Sequence, residues 1–257
     1  MTDLLKLSLT ILSLTLVQPA VAVPTTIVDN YIGADAHGHG DVIGRTSDFE
    51  ITSMDVSLSG SMLSVSIYTT FAGKGDDHLF DSLTGGKGIG YGDLLLSGSW
   101  NPYGSAPYSG DDSSNGTLWS YGFALDNRWW NGSDTSGGSG TLYRLDGATN
   151  DANTLLSGDF LTGGTYRTGQ EVAVDTNGLT GVGTGSWSIV DGSSINFSLD
   201  LSGTTLLTGD EIALHWGFTC ANDVIEGSID VPEPGILLLM ASGLLGVAFQ
   251  FRKSKAG

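Results

Sequence analysis

Seven residues early in the chain, Asp35-Ala36-His37-Gly38-His39-Gly40-Asp41, have the composition of a metal site. His-x-His spacing puts both rings on one side of an extended strand. Asp35 and Asp41, with nearby backbone carbonyls, supply the oxygen ligands that calcium prefers. The cluster is a candidate structural calcium site. A transition metal at His37 and His39 is the alternative, and a plain polar turn is the simplest account. Asp93 and Asp76-Asp77-His78 are weaker candidates of the same kind. No other cofactor is expected.

A second group is aromatic. Trp100, Tyr103, Tyr108, Trp119, Tyr121, Trp129 and Trp130 crowd one stretch, interleaved with Asn and Asp. An exposed ring stacks on the apolar face of a pyranose, while amides and carboxylates take its hydroxyls. Trp100, Tyr103, Trp129 and Trp130 are therefore candidate glycan contacts. The alternative is that the rings fill a core, as Trp119, Tyr121 and Phe123 do if they alternate on one strand face.

Catalytic patterns are missing. Glycoside hydrolysis needs two placed carboxylates. Before the last 27 residues the chain has Glu50, Glu171, Glu211 and Glu226, with no recognisable catalytic spacing. There is no Gly-x-Ser-x-Gly, phosphate-binding loop or His-Glu-x-x-His. Cys220 is the only cysteine, which forbids an intrachain disulfide and suits a small buried hydrophobe. The chain is expected not to be an enzyme. A polysaccharide hydrolase is the residual alternative.

The end of the chain carries the most information. Val231-Pro232-Glu233-Pro234-Gly235 precedes an uncharged apolar run over residues 236–251, and Arg252-Lys253-Ser254-Lys255 follows. Sixteen helical residues span about 24 Å, somewhat less than the roughly 30 Å hydrocarbon core. Bilayer thinning or snorkelling of Arg252 and Lys253 makes up the difference. Basic residues after the run place that end in the cytoplasm and the body outside. Pro232 and Pro234 keep the preceding segment extended and open to a processing enzyme.

A Pro-Glu-Pro motif, a transmembrane helix and a terminal Arg/Lys cluster resemble the PEP-CTERM sorting signal of Gram-negative bacteria. That resemblance covers Pro232, Glu233 and Pro234 as the recognition motif. It covers residues 236–251 as the helix, and Arg252, Lys253 and Lys255 as the basic stop. It implies processing by the membrane transpeptidase exosortase, in a setting of exopolysaccharide. The same signal is also called an ice-binding protein C-terminal domain, a label that names the motif and not an activity on ice. The segments Ser47-Asp48-Phe49-Glu50-Ile51 and Tyr91-Gly92-Asp93-Leu94-Leu95-Leu96 are loosely similar to β-sandwich ectodomains related to carbohydrate-binding modules.

The other end agrees with export. Lys6 precedes an apolar run over residues 7–17, and Ala20-Val21-Ala22 forms an A-x-A cleavage site. The expected organisation is a signal peptide at 1–22, an ectodomain at 23–230 and the sorting signal at 231–257. The protein is expected to pass the inner membrane, stay anchored by the C-terminal helix until processed, and then reach the cell surface or matrix.

Charge narrows the partners. The chain has 10 basic and 28 acidic residues, a net charge of −18. Lys6, Arg252, Lys253, Lys255, Asp3 and Glu233 lie in the end segments, so the body is more acidic still. Nucleic acid and anionic lipid surfaces are excluded as partners, since both need a basic face.

Between the end segments, turns rich in the 39 glycines separate short alternating runs. The clearest hairpin joins residues 49–58 to 62–71 through Gly60-Ser61, with one change of register in its first half. Further strands are expected within 89–100, centred on Leu94-Leu95-Leu96, and at 118–125, 142–145, 171–174, 186–190, 195–201 and 211–218. Residues 135–140 read as a Gly/Ser loop. This pattern predicts an all-β fold, an antiparallel β-sandwich of jelly-roll type, flanked by an N-terminal signal helix and a C-terminal transmembrane helix. The function expected is that of an exported, exosortase-processed, non-enzymatic surface or extracellular-matrix protein associated with exopolysaccharide. A carbohydrate-binding module with its own glycan ligand is the main alternative.

Overall fold

A computed structural model describes residues 24–34, 41–76, 80–129, 137–145, 152–162 and 167–232. Twelve strands occur among them: β1 (Thr25–Val28), β2 (Ile51–Ser59), β3 (Met62–Thr69), β4 (Leu94–Ser97), β5 (Tyr121–Leu125), β6 (Gly137–Arg144), β7 (Thr154–Leu156), β8 (Glu171–Val174), β9 (Gly181–Val190), β10 (Ser194–Asp200), β11 (Glu211–Gly217) and β12 (Val224–Asp230). Two single-turn helices, α1 (Thr46–Phe49) and α2 (Asp81–Thr84), sit between strands. The fold is all-β and antiparallel, as the alternation predicts.

Ten strands form one sheet in the order β1-β2-β3-β10-β9-β6-β5-β4-β11-β12. Its two edges approach each other: a Cβ on Gly227 of β12 would lie 2.6 Å from Ile27 of β1. The sheet is thus nearly closed, and its halves face each other across one core. Val56, Val65 and Phe197 from one half and Leu96, Leu214 and Trp216 from the other belong to that core. Phe71 links it to Tyr91 and Phe218, at ring separations of 5.7 and 4.8 Å.

The β2–β3 hairpin forms where expected, with strand ends within two residues of the expected bounds. Ser57 faces Ser64 and Val56 faces Val65, with the register shift between Ile51 and Ser53. Gly60 takes a φ of 61° in the two-residue turn, where a left-handed residue matches the twist of the strands.

Differences from the sequence expectation have local causes. Gly137–Gly140 is not a loop but the first half of β6, paired with β9. A side chain at Gly140 would meet the Phe123 ring at 2.5 Å, so glycine lets that ring close over the strand. Trp119 does not share a face with Tyr121 and Phe123, because β5 starts only at Tyr121. It packs instead with Leu95, Leu145, Val174 and Ala213 on the outside of the sheet.

That outer cluster explains β4. Leu94 and Leu96 point into the main core and Leu95 points away, yet all three are buried. Val174 of the separate β7–β8 pair covers this face together with Trp119 and Leu145. Part of the sheet is therefore dry on both faces, so period two disappears from its sequence.

Among the described residues no helix is long and apolar enough to cross a membrane. The expected helices at the two ends, including residues 236–251, lie outside the described residues.

Candidate functional site

Two places carry the residues of functional interest: the end of β12, where the proline motif begins, and the outer face of the β11–β12 hairpin.

β12 runs antiparallel to β11 from Val224 opposite Gly217 to Asp230 opposite Glu211. The Val231 N–H then donates to the Asp210 carbonyl at 2.9 Å, and the Val231 side chain packs on the main core. Pro232 follows at once and is exposed. It has no N–H, so the ladder stops there. The motif therefore leaves the sheet with no spacer. Glu233, Pro234 and the basic stop at Arg252, Lys253 and Lys255 lie outside the described residues, as do Ala20 and Ala22.

Along the hairpin, His215 faces Glu226 directly across the strands. Both point outward, and both are sealed by β8 and the loop after β4, at 0% and 4% exposure. His215 Nδ1 lies 2.9 Å from Glu226 Oε1, and its Nε2 lies 2.7 Å from the Glu171 carbonyl oxygen. Trp100 clamps the pair from above: its indole N–H donates to Glu226 Oε2 at 3.0 Å, and its backbone N–H to Glu211 Oε1 at 2.8 Å. Tyr108 stands edge-on to Trp100 at 5.5 Å and stacks on Tyr31 at 6.0 Å. The Tyr31 hydroxyl bonds to Asp111, which is also buried.

The cluster thus sets Glu171, Glu226 and Asp111 around one imidazole. Burial pushes the Glu171 carboxyl up to about 8, partly opposed by the charge of His215. Burial, reinforced by the charge of Glu226, lifts Asp111 to about 7. Burial works against a charged His215, yet the hydrogen bond and charge of Glu226, with Glu171, hold its pKa above the ordinary value. Glu171 therefore keeps its proton at neutral pH. Sealed from solvent, these groups hold the hairpin together.

The other candidates separate in space and environment. Tyr103 is 58% exposed, beside Gly110. Trp129 is half buried and packs 6.3 Å from Phe160. Trp130 lies outside the described residues. Of the acidic and histidine cluster only Asp41 is described. It is exposed, its side chain accepts the Val42 N–H, and its carbonyl accepts from Arg167. Asp35, His37, His39 and His78 lie outside the described residues. Asp93 is fully occupied: Oδ1 accepts the Leu125 N–H, and Oδ2 accepts the Val174 N–H and the Arg128 guanidinium. Among the described residues no group of three His, Cys, Asp or Glu side chains is placed to hold a metal ion.

The His215–Glu226 pair escapes sequence inspection because the Val224–Asp230 strand lacks alternation. Glu226 and Gly227 interrupt it. The missed signal is the antiparallel mate of the strongly patterned Glu211–Gly217 run.

Residues 230–253 match the PEP-CTERM protein-sorting motif. The match spans the end of β12, the proline motif, the apolar run and the first basic residues. No curated protein and no solved structure matches the chain. The matched motif marks an exported chain that passes through a membrane-anchored stage and has exosortase as its processing partner.

Proposed function

We propose that this PEP-CTERM-bearing chain delivers a non-enzymatic β-domain to the outside of the cell, where exosortase releases it from its anchor and exopolysaccharide retains it. The observation that supports this most is the junction at Val231 and Pro232. A paired strand ends at Val231, and Pro232, the first residue of the recognition motif, is exposed and unable to pair further. The body needs no active site for such a role. Its densest carboxylate cluster is closed to solvent, which speaks against a polysaccharide hydrolase built on Glu171 and Glu226. The high acidic charge keeps such a domain soluble and repelled from anionic lipid once the anchor is removed.

The test is mass spectrometry of the protein recovered from its own host, with and without the double replacement Pro232→Ala and Pro234→Ala. A wild-type chain starting at Val23 and ending near Pro234, recovered with the exopolysaccharide fraction, is the expected result. The double variant should keep its C-terminal segment and stay with the membrane. Identical processing of both chains would sink the proposal.

A further inference from the structure

We propose that the outer face of β1, β2, β3, β10 and β9 is the surface that grips the exopolysaccharide, and that its ligand is a neutral glycan of equatorially linked pyranoses. The inference rests on the retention proposed above and names the surface responsible. Val56, Val65, Phe197 and Trp187 stand side by side and belong to the main core. The alternate positions of each strand therefore point outward, in rows that the register defines. One row runs Val28, Ser53, Tyr68, Ser194 and Val190. The next runs Thr26, Asp55, Ser66, Asn196 and Ser188, and the third Ser57, Ser64, Ser198 and Ser186. Neighbours in a row lie about 4.8 Å apart and rows about 6.7 Å apart, so a row across five strands spans about 19 Å.

Apolar contact, hydrogen bonding and charge together select the ligand. Seven large apolar side chains stand exposed among the described residues, and four of them, Val28, Met62, Tyr68 and Val190, lie on this face. The first row thus sets an aromatic ring between two valines, which suits the flat C–H underside of an equatorially linked chain. The Tyr68 hydroxyl donates to Asp55 Oδ2 at 3.1 Å, and the Thr26 hydroxyl to Asp55 Oδ1 at 2.6 Å, which ties the ring to the second row. In the rows beside it, the hydroxyls of Ser64, Ser66, Ser186 and Ser188 make no hydrogen bond among the described residues. The Asn196 amide reaches only Ser194, at 3.3 Å. These groups keep donors and acceptors for the hydroxyls of a sugar. The five strands carry no Lys or Arg, and their only charged residues are Asp55 and Asp200. Asp126, bonded to Ser139 of β6, and Asp191 in the turn after β9 have the same sign. Arg144 of β6 lies five positions beyond Ser139. An acidic polymer on these rows meets only carboxylates, in a chain whose net charge is −18, so the face accepts a neutral one.

The full chain, held in lipid nanodiscs, is run on native gels containing hydroxyethylcellulose, dextran or carboxymethylcellulose. Hydroxyethylcellulose, neutral and equatorially linked, should retard it. Dextran, neutral but axially linked, and carboxymethylcellulose, the same backbone with carboxylates, should each bind at least about tenfold more weakly. Tyr68→Ala should weaken binding to hydroxyethylcellulose about tenfold, and Tyr68→Phe, which keeps the ring, less than about twofold. Val190→Asn, at a side chain 53% exposed, should also weaken it while leaving the melting temperature unchanged. In the host, Tyr68→Ala should be processed at the sorting motif like wild type but pass into the medium. A wild-type chain that is not retarded, equal retardation by all three polymers, or a Tyr68→Ala chain that binds like wild type overturns the proposal. A Tyr68→Ala chain that is processed and still held in the matrix overturns this surface and leaves retention by exopolysaccharide standing. A processed wild-type chain missing from the exopolysaccharide fraction overturns the retention itself, and this surface with it.

Discussion

Replacing Glu171 by Gln preserves the shape of the side chain and removes its charge, and the fold should then tolerate alkali better. Burial lifts Glu171 from an ordinary 4.5 to about 8. Burial also lifts Asp111 and Asp29 from 3.8 to about 7. The unfolded chain gives up these protons near pH 4. Between there and pH 8 the folded state holds more protons than the unfolded state, so stability falls as pH rises. His215 acts with the same sign. Its folded pKa lies above 6.5, so the stability it adds is complete below that value and lost above the folded one.

For Glu171 alone the displacement is about 3.5 units, on the order of 5 kcal/mol at 1.36 kcal/mol per unit. Glu171 interacts with His215, Glu226 and Asp111, so these shifts do not add, and about 2–5 kcal/mol is expected at pH 8. That is a large part of the roughly 5–15 kcal/mol that holds a domain folded. The assay is the urea midpoint at pH 5 to 9, followed by tryptophan fluorescence. Trp119 lies 5.5 Å from the His215 ring and reports on the cluster. The wild-type midpoint should fall across this range. Glu171→Gln should match wild type near pH 5 and exceed it at pH 8, with a melting temperature higher by roughly 5–15 °C. A flat wild-type profile, or a variant with the wild-type slope, would refute the argument.

Other substitutions probe the frame around this cluster. Gly92→Ala would put a methyl 2.2 Å from the Gly217 carbonyl oxygen and 2.9 Å from that of Val172, both backbone, and should cost more than about 3 kcal/mol by calorimetry. Gly60→Ala meets open space and bears only the strain of its φ of 61°, so about 1 kcal/mol is expected. Asp93→Ala leaves two backbone N–H groups unpaired and Arg128 with only the Tyr91 carbonyl, a loss of about 3–5 kcal/mol visible as a lower urea midpoint. Cys220 is 1% exposed and its thiol is pushed up to about 12, so a thiol reagent at pH 8 should label it only in denaturant; fast labelling of the folded chain would contradict its burial.

What could be read from the sequence follows from where a residue's environment is local. In β2, β3 and β10 one face is wet and the other dry, so Leu63, Val65 and Ile67 alternate with Ser64, Ser66 and Tyr68, and these strands were placed almost to the residue. The sorting motif was legible for the same reason, since its parts are contiguous. In β6 the glycines that mimic a loop are required by the Phe123 ring, which belongs to another strand. Trp100 is a candidate sugar platform in the sequence because aromatic residues there are interleaved with Asn and Asp. What the sequence does not show is that its indole N–H is engaged by a carboxylate 126 positions away. Long-range pairing of that kind leaves no trace in periodicity.

The same point applies to the acidic residues. Twenty-eight carboxylates in a secreted chain suggest a solvated surface or calcium. Yet Asp93, Asp111, Glu171, Asp223 and Glu226 are all buried, each receiving donors or neighbours from a different part of the chain. Asp223 binds the Ile51 N–H at the start of β2, and Glu226 binds His215 and Trp100. Both lie on or beside the strand that ends in the sorting motif. That strand is therefore fixed at three points: by Asp223 to β2, by Glu226 to β11, and by the Val231 N–H to Asp210. Pro232 thus follows a strand held at three points, and the energy of the cluster beside that strand depends on protons held inside the fold. Because those protons leave as pH rises, the cluster and the hold it gives on β12 weaken together.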